Sequence, residues 1–244
     1  MTRETSIIDA TRSEIRTGGA HSATRRQAHE APAAEMQRPH VLIVDDDEEV
    51  RTALRELLLS VGLNATCFAS TRELLDADLP RRPGCLVLDV RMPGSSGLDL
   101  QRQLAADDDA PPIIFLTGHG DIPMSVKAMK AGAVDFLTKP VRDQTLLDAV
   151  SAGIERDVAR RNEALLVRKH VEQLATLTAR ERQVFREVAR GRLNKQIAFD
   201  FGISEVTVKL HRSNVMRKMH ATSVGQLIRA WDALPTDMRE ARAA

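Results

Sequence analysis

The sequence predicts an α/β fold, a parallel β-sheet covered by helices on both faces, followed by a small all-α domain. Short apolar runs alternate with helix-like patterns from residue 40 to about 157, which is typical of βα units around a buried parallel sheet. From residue 178 onward the apolar periodicity is helical throughout. The length of 244 residues suits about two domains of ordinary size.

Charge divides the chain at the same place. Residues 40–142 carry 11 Lys and Arg against 16 Asp and Glu, a net charge of −5. Residues 178–230 carry 11 against 4, a net charge of +7. We therefore expect two domains with different partners, the basic one being a candidate for binding nucleic acid.

Composition also bounds where the protein works. No apolar run approaches the ~18–20 residues of a membrane span, and the first 38 residues lack the apolar core of a signal peptide. We therefore expect a cytoplasmic protein with no membrane partner. Cys67 and Cys85 sit in apolar stretches, which favours buried free thiols over a disulfide.

The elements of the first half follow in order. Strands are predicted over 41–44, 65–69, 85–89, 112–117 and 134–139. Helices are predicted near 48–60, 71–79, 97–106, 123–131 and 143–157. Ser70 and Glu73 have the spacing of a capping box at the start of the second helix.

The domain boundaries follow from these patterns. We predict a disordered tail over 1–38, an α/β domain over 39–155, a helical linker over 156–174, a helical domain over 175–235 and a tail over 236–244. A short coiled-coil contact between two linkers is possible, but the heptads are too broken to predict it. Met36 lies just before the first strand, which raises the hypothesis that residues 1–35 come from an upstream start codon; mass spectrometry of the native N-terminus tests it.

Polar residues end several predicted strands. In "LVLDVRMPGSSG", Asp89 follows an apolar run and precedes a Pro-Gly turn. A lone Asp there is usually a cap or turn residue. However, the other strand ends carry Asp45 with Asp46, Thr117, and Lys139 before Pro140. Since the carboxyl ends of parallel strands meet at one edge, where α/β folds keep their sites, the pattern favours a reactive carboxylate.

The chemistry of this set is coherent. Three carboxylates repel one another, and a hard cation such as Mg²⁺ would relieve that repulsion. Asp89 could then attack a phosphoryl group as a nucleophile. Lys139 and the metal would neutralise the oxygens of the transferring phosphoryl, and the Thr117 hydroxyl would bind one of them. Pro140 is compatible with a cis peptide bond that aims the lysine.

Three segments, "VDDDEEVR", "LDVRMPGSSG" and "TGHGDIPMSVKAMKAGAVDFLTKP", resemble a two-component receiver domain over about residues 40–155. The resemblance implies a doubly wound, flavodoxin-like (βα)5 fold with Asp89 as the phosphoacceptor. It implies that Mg²⁺ is held by Asp45, Asp46, Asp89 and the backbone carbonyl of Arg91.

The same resemblance implies a switch made of Thr117, Lys139 and Phe136. Because Phe136 stands where the family also has Tyr, it lacks a hydroxyl, and its rotation would be sensed by packing alone. The resemblance also suggests that Arg91 and His119 tune the lifetime of the phosphoryl group; the alternative is that both are ordinary polar loop residues.

The basic half reads as four helices, over 179–190, 194–201, 205–219 and from Ser223. Thr178 and Glu181 have capping-box spacing, and Gly191 and Gly202 end the first two helices. In the third helix Val208, His211, Val215 and Met219 share a face, which should be core.

The opposite face of that third helix carries Val206, Leu210, Ser213 and Arg217, flanked by Lys209. Two apolar residues on a basic face could meet a partner helix or thymine methyl groups. They could also be scattered surface residues.

The segments "LTARERQVF", "NKQIA" and "ISEVTVKLHRSN" resemble a LuxR-type helix-turn-helix over about residues 175–235. The resemblance implies a recognition helix over 205–219 that faces bases with Lys209, Leu210 and Ser213. It implies phosphate contacts from Lys195, Thr207, Arg212 and Arg217. Leu193 stands where a small or polar residue is common, which leaves the cap of the scaffold helix open. The last helix, "SVGQLIRAW", is the usual dimer contact of the family.

Together the two resemblances imply a response regulator of the NarL/FixJ class, similar to its FixJ-like branch. A sensor histidine kinase would phosphorylate Asp89, and the face formed by the fourth and fifth helices, about 123–150, would favour a homodimer. The dimer would bind double-stranded promoter DNA at half-sites about one helical turn apart, with RNA polymerase as a further candidate partner.

Two other classes stay open. A haloacid-dehalogenase-like phosphohydrolase also uses a strand-end Asp, but that family has a second Asp two residues on, where this chain has Arg91. A constitutive DNA-binding protein with a vestigial receiver is the second alternative. We expect a regulator, not an enzyme.

Overall fold

The computed structural model describes residues 38–78, 82–94, 96–118 and 120–240. The predicted N-terminal tail up to residue 37, with Met36, lies outside the described residues, and so does His119. Among the described residues no helix is both long and apolar enough to cross a membrane.

The first half is built on one five-stranded parallel sheet. Its strands are β1 (His40–Val44), β2 (Asn64–Phe68), β3 (Gly84–Leu88), β4 (Ile113–Thr117) and β5 (Asp135–Thr138), in the order β2-β1-β3-β4-β5. This order is that of the flavodoxin-like doubly wound fold, so the predicted fold class is confirmed. In β3 and β4 every residue is buried, as the continuous apolar runs predict.

Five helices cover the sheet. They are α1 (Glu48–Ser60), α2 (Thr71–Asp76), α3 (Gly97–Leu104), α4 (Ile122–Lys130) and α5 (Asp143–Ala175). Side chains of Asp47, Ser70, Ser96 and Asp121 accept first-turn N–H groups and so fix where four of these helices begin. At the start of α2 the Glu73 side chain accepts from the Ala69 N–H. The predicted capping box would have it accept from the Ser70 N–H, one residue later.

The sheet separates two apolar cores. One lies under α1 and α5 and includes Ile43, Leu58, Ile114 and Leu146; the other lies under α2, α3 and α4 and includes Leu86, Leu100 and Phe115. Both cysteines are free thiols. Burial, together with the charge of Asp157, raises the pKa of the Cys85 thiol to about 12, so it behaves as a small apolar side chain.

Helix α5 is 33 residues long and continues without a break from the sheet into the second half. Its first part packs on the sheet through Leu146 and Val150, residues 162–166 are exposed, and Gln173 and Leu174 are buried again. The predicted sheet helix and linker are therefore one helix, because residues 143–175 contain a single Gly and no Pro.

The second half consists of short helices around one core. They are α6 (Ala179–Ala189), α7 (Asn194–Phe201), α8 (Glu205–Lys218), α9 (Val224–Asp232) and α10 (Thr236–Glu240). Phe185, Ile197, Val208 and Leu227 fill the centre, and Trp231 packs edge-on against Phe185 with ring centroids 5.1 Å apart. Helix α10 lies in the stretch predicted as a C-terminal tail; Pro235, directly before it, has a φ suited to a helix start.

Candidate functional sites

The acidic site lies at the carboxyl edge of the sheet. Asp45 follows β1 and Asp89 follows β3, and the Asp89 N–H donates to the Val44 carbonyl at 2.9 Å, which keeps the two strand ends in register. Asp45 and Asp89 are buried, whereas Asp46 is exposed. One carboxylate oxygen from each of the three can lie within 4.8 Å of the others.

Lys139 joins two of these carboxylates. Its Nζ lies 2.5 Å from Asp45 Oδ2 and 3.2 Å from Asp89 Oδ2. Its N–H donates to the Thr117 carbonyl at 2.9 Å, and the Lys139–Pro140 peptide bond is cis. The end of β5 thus delivers an ammonium to the ends of β1 and β3.

Burial and charge act in opposite directions on this pair. Burial raises the pKa of Asp45, and this outweighs the lowering by hydrogen bonds from Lys139 and the Asp47 N–H. Burial would lower the pKa of Lys139, but the hydrogen bond and charge of Asp45 and the charge of Asp89 raise it overall. Lys139 is therefore a charged ammonium at neutral pH.

The donor set suits Mg²⁺. One ammonium against three carboxylates leaves two negative charges, which one divalent cation balances, and carboxylate oxygens are the ligands Mg²⁺ prefers. The Arg91 N–H donates to Asp89 Oδ1 at 3.2 Å, so the turn after β3 fixes the orientation of the central carboxylate. The Arg91 carbonyl is the predicted additional ligand.

The predicted switch residues lie beside this site. Thr117 is fully buried at the end of β4. Phe136 is half-buried on β5, and its ring centroid is 5.9 Å from that of Phe115. A Cβ on Gly120 would lie 2.7 Å from the Phe136 ring and 3.3 Å from the Thr117 methyl, so Gly120 leaves room for both side chains.

Sequence reasoning missed three residues here, Arg51, Gly97 and Gly120. Arg51 Nη1 donates to the Asp45 carbonyl at 2.7 Å. A Cβ on Gly97 would lie 2.3 Å from the Asp89 carbonyl oxygen, so only glycine lets α3 start this close to Asp89. Arg51 ends "VDDDEEVR", Gly97 ends "LDVRMPGSSG" and Gly120 lies in "TGHGD", so all three stood in motifs whose roles were assigned to other residues.

The second site is the α7–turn–α8 unit. Gly202 ends α7 in the left-handed region at φ 63°. Ser204 Oγ then accepts from the Thr207 N–H at 3.1 Å and pairs with the Thr207 hydroxyl at 2.8 Å. Val208 and Val215 on α8, and Met219 directly after it, lie in the core. His211 is only half-buried, so the prediction that it is a core residue was too strong.

The outer face of α8 is open. Lys209, Leu210, Ser213 and Arg217 are all exposed, as is Lys195 in the first turn of α7. Arg212, also a predicted phosphate contact, is half-buried, and its Nη1 donates to Asn194 Oδ1 at 2.7 Å. This hydrogen bond joins α8 to α7.

The start of α7 has only one of the two hydrogen bonds of a capping box. The Leu193 side chain has no acceptor, but its N–H donates to Gln196 Oε1 at 2.8 Å. This is the reciprocal half of a capping box, and it explains how leucine is tolerated at this position.

Comparison with known proteins covers both sites. Residues 41–151 match the family model of the response regulator receiver domain, and residues 175–231 match that of the bacterial regulatory proteins of the luxR family. Nodulation protein W of Bradyrhizobium diazoefficiens is 52% identical over 194 residues, 80% of this chain and 86% of that protein. The chain is a response regulator of the NarL/FixJ class.

Further relatives agree with this assignment of the response regulator. The protein TodT of Pseudomonas putida is 49% identical, covering 80% of this chain and 86% of TodT. FixJ of Azorhizobium caulinodans is 43% identical over 80% of this chain and 97% of FixJ. A solved structure of the response regulator StyR superposes with a TM-score of 0.70 at 47% identity, covering 80% and 98% of the two chains.

The class sets the broad function. A receiver joined to a LuxR-type domain makes this response regulator a two-component, DNA-binding transcription regulator with a kinase partner. Its family is one of regulators, not of enzymes in the usual sense.

Proposed function

We propose that a sensor histidine kinase transfers a phosphoryl group to Asp89, and that this promotes dimerisation and sequence-specific binding to promoter DNA. The observation that carries the proposal is the setting of Asp89, which is only 7% exposed yet faces an ammonium and two further carboxylates. A capping role would leave the metal-ligating cluster and the lysine unexplained, because capping needs neither. A reactive carboxylate accounts for both.

The transfer uses the residues at the sheet edge. A carboxylate oxygen of Asp89 forms a bond to phosphorus as the bond between phosphorus and the kinase histidine breaks. Asp45, Asp46, Asp89 and the Arg91 carbonyl would hold Mg²⁺, which would supply positive charge to the phosphoryl oxygens. The Lys139 ammonium, which already lies 3.2 Å from Asp89 Oδ2, donates a hydrogen bond to another of these oxygens.

The response starts at Thr117 and Phe136. The phosphoryl group adds ~1.5–2 negative charges and three acceptors, and the Thr117 hydroxyl moves to donate to one of them. Phe136 then repacks beside Phe115 and Gly120. Without a phenolic hydroxyl, Phe136 signals through packing alone.

Dimerisation uses the face of α4 and the start of α5. Ile122, Val126 and Met129 follow the spacing of one helix face, and all three are exposed. An exposed apolar stripe of this kind is typical of a protein contact, and a second phosphorylated copy is the occupant we propose. The paired helix-turn-helix units then reach two half-sites about one helical turn apart, in the cytoplasm and next to RNA polymerase.

The test compares the protein with its Asp89→Asn variant after treatment with acetyl phosphate and Mg²⁺. We expect the unsubstituted protein to gain the mass of one phosphoryl group and to bind selected DNA more tightly, whereas Asp89→Asn should do neither. Asp108→Asn, an exposed acid in the loop before β4, is the matched control and should behave as the unsubstituted protein.

Two outcomes would support the alternatives. If Asp89→Asn regulated its promoter as well as the unsubstituted protein, the receiver would be vestigial. Steady release of phosphate from a phosphomonoester would instead indicate a phosphohydrolase.

A further inference from the structure

The outer face of α8 exposes two aliphatic side chains. Val206 is 75% exposed and Leu210 is 61% exposed. They are four residues apart and so lie on one face, one helical turn from each other. A single exposed aliphatic residue is ordinary, but here a pair lies on the surface that also carries Lys209, Ser213 and Arg217.

Folding does not require either side chain. The inner face of α8 already supplies Val208 and Val215 to the core, with Met219 directly after the helix, and neither Val206 nor Leu210 belongs to that cluster. Helix propensity does not explain valine in the first turn of α8 either, because β-branched residues are unfavourable in helices. The pair is therefore best explained by a ligand.

The surrounding charge indicates which ligand this is. An apolar partner helix would cover Lys209 and Arg217, and burying unpaired cations is costly. DNA phosphates instead pair with such cations, while the major groove offers one apolar group, the 5-methyl of thymine. Charge complementarity thus selects DNA.

We propose that Val206 and Leu210 read the 5-methyl groups of two thymines in each half-site. The inference rests on the proposed DNA binding and deepens it by naming the bases. Four residues advance a helix by about 6 Å, and base pairs are spaced about 3.4 Å apart along DNA. The two thymines therefore lie about two base pairs apart, on either strand.

The first experiment removes the methyl groups from the DNA. Duplexes that bind the full-length protein, treated with acetyl phosphate and Mg²⁺, are selected from a random pool. Each thymine of the selected site is then replaced by uracil, which lacks only the 5-methyl group. We expect two positions per half-site to weaken binding, each by about fourfold, since burying one methyl group contributes about 0.8 kcal/mol.

The second experiment removes the protein side of each contact. Leu210→Ala should bind thymine and uracil equally at one of the two positions, and Val206→Ala should do so at the other. Leu165→Ala is the matched control, because Leu165 on α5 is 60% exposed, almost the same as Leu210, and should leave both uracil effects intact. Fluorescence of Trp231, the single tryptophan, checks that each variant keeps its fold.

Several outcomes would overturn the thymine contact. One is a selected site that tolerates uracil at every position, and another is a uracil effect that persists in both variants. A dimer that forms without DNA and dissociates on Leu210→Ala would assign the pair to a partner helix. A selection that enriches no sequence would overturn the proposed sequence-specific binding, and the thymine contact with it.

Discussion

Single residues around Asp89 control how closely backbone and side chains approach it. Lys139 offsets the charge of two buried carboxylates, which would otherwise be strongly destabilising. Gly97 and Gly120 contribute by lacking a side chain: the first leaves room for the Asp89 carbonyl and the second for Phe136. The position of Asp89 therefore depends on two glycines that leave space as well as on the charged Lys139.

Gly97→Ala tests this dependence. The added Cβ would lie 2.3 Å from the Asp89 carbonyl oxygen, so the backbone at Asp89 must shift. We expect a loss of about 1–3 kcal/mol in unfolding free energy and at least tenfold slower phosphorylation by acetyl phosphate. Gly118→Ala is the control, since a Cβ there meets nothing within 4 Å; equal phosphorylation rates in the two variants would contradict the prediction.

A second residue pair makes the helical half sensitive to acid. Glu181 is buried, which raises its pKa, but hydrogen bonds from Lys218, at 2.6 Å, and from Thr178 lower the pKa overall. A lowered folded-state pKa adds stability above the unfolded value of about 4.3, and that stability is lost as the pH falls through the folded-state pKa.

Glu181→Gln should therefore reduce the unfolding free energy at pH 7 by about 1–3 kcal/mol, and the difference from the unsubstituted protein should shrink below pH ~4. Urea unfolding followed by Trp231 fluorescence measures it. Glu172→Gln, an exposed acid on α5, should change little; a pH-independent gap between Glu181→Gln and the unsubstituted protein would refute the linkage.

At the scale of elements, α5 is fastened where it leaves the sheet. Asp157 is fully buried and accepts from the Gly84 N–H at 2.9 Å and from Arg161 Nε at 2.7 Å. Arg160 Nη2 also reaches the Asp109 carbonyl at 3.2 Å. One acid thus ties the helix to the start of β3, the strand whose other end presents Asp89.

Asp157→Asn weakens this attachment, because an amide cannot pair with Arg161 as a carboxylate does. We expect a loss of about 1–3 kcal/mol and faster hydrogen exchange in residues 158–162. Asp148→Asn, an exposed position on the same helix, should leave exchange unchanged. Unaltered exchange in Asp157→Asn would show that apolar packing alone holds α5.

The elements that the sequence predicts best are those with a simple apolar period. All five strands and the helices α1, α4, α6, α7 and α8 lie within one residue of their predicted bounds, whereas α2 and α3 end two or three residues earlier than predicted. Asp157 was not predictable, because "ERDVARR" is charged on all sides and no local signal separates one buried acid from its exposed neighbours. The closeness of Gly97 to Asp89 likewise depends on the path of the folded backbone, which no local sequence pattern gives. His211 shows that lying on the core-facing side of a helix does not make a residue fully buried.

At the scale of the whole molecule, opposite charges are segregated into the two halves. The nearly neutral total, +1, hides a basic DNA-binding half. Phosphate contacts release counterions, so DNA affinity should fall steeply with salt.

Lys195, Arg212 and Arg217 are the three charged phosphate contacts we predict per protomer. A dimer making six such contacts should give a slope of log affinity against log salt of about −5. Lys195→Gln should reduce the slope by about 2, one contact in each protomer, whereas Lys169→Gln on α5 should not alter it. Salt-insensitive binding would contradict the assigned interface.

The unbroken course of α5 has a rotational consequence. A helix advances about 100° per residue, so the number of residues between Val158 and Val171 sets the angle at which the DNA-binding half faces relative to the receiver. Two alanines inserted after Asn162 turn it by about 200°, whereas seven turn it through nearly two full revolutions and restore its direction about 10 Å further out. Regulation in a reporter strain should fail with two inserted alanines and return with seven, because the rotation of the DNA-binding half about α5 matters more than its distance from the receiver.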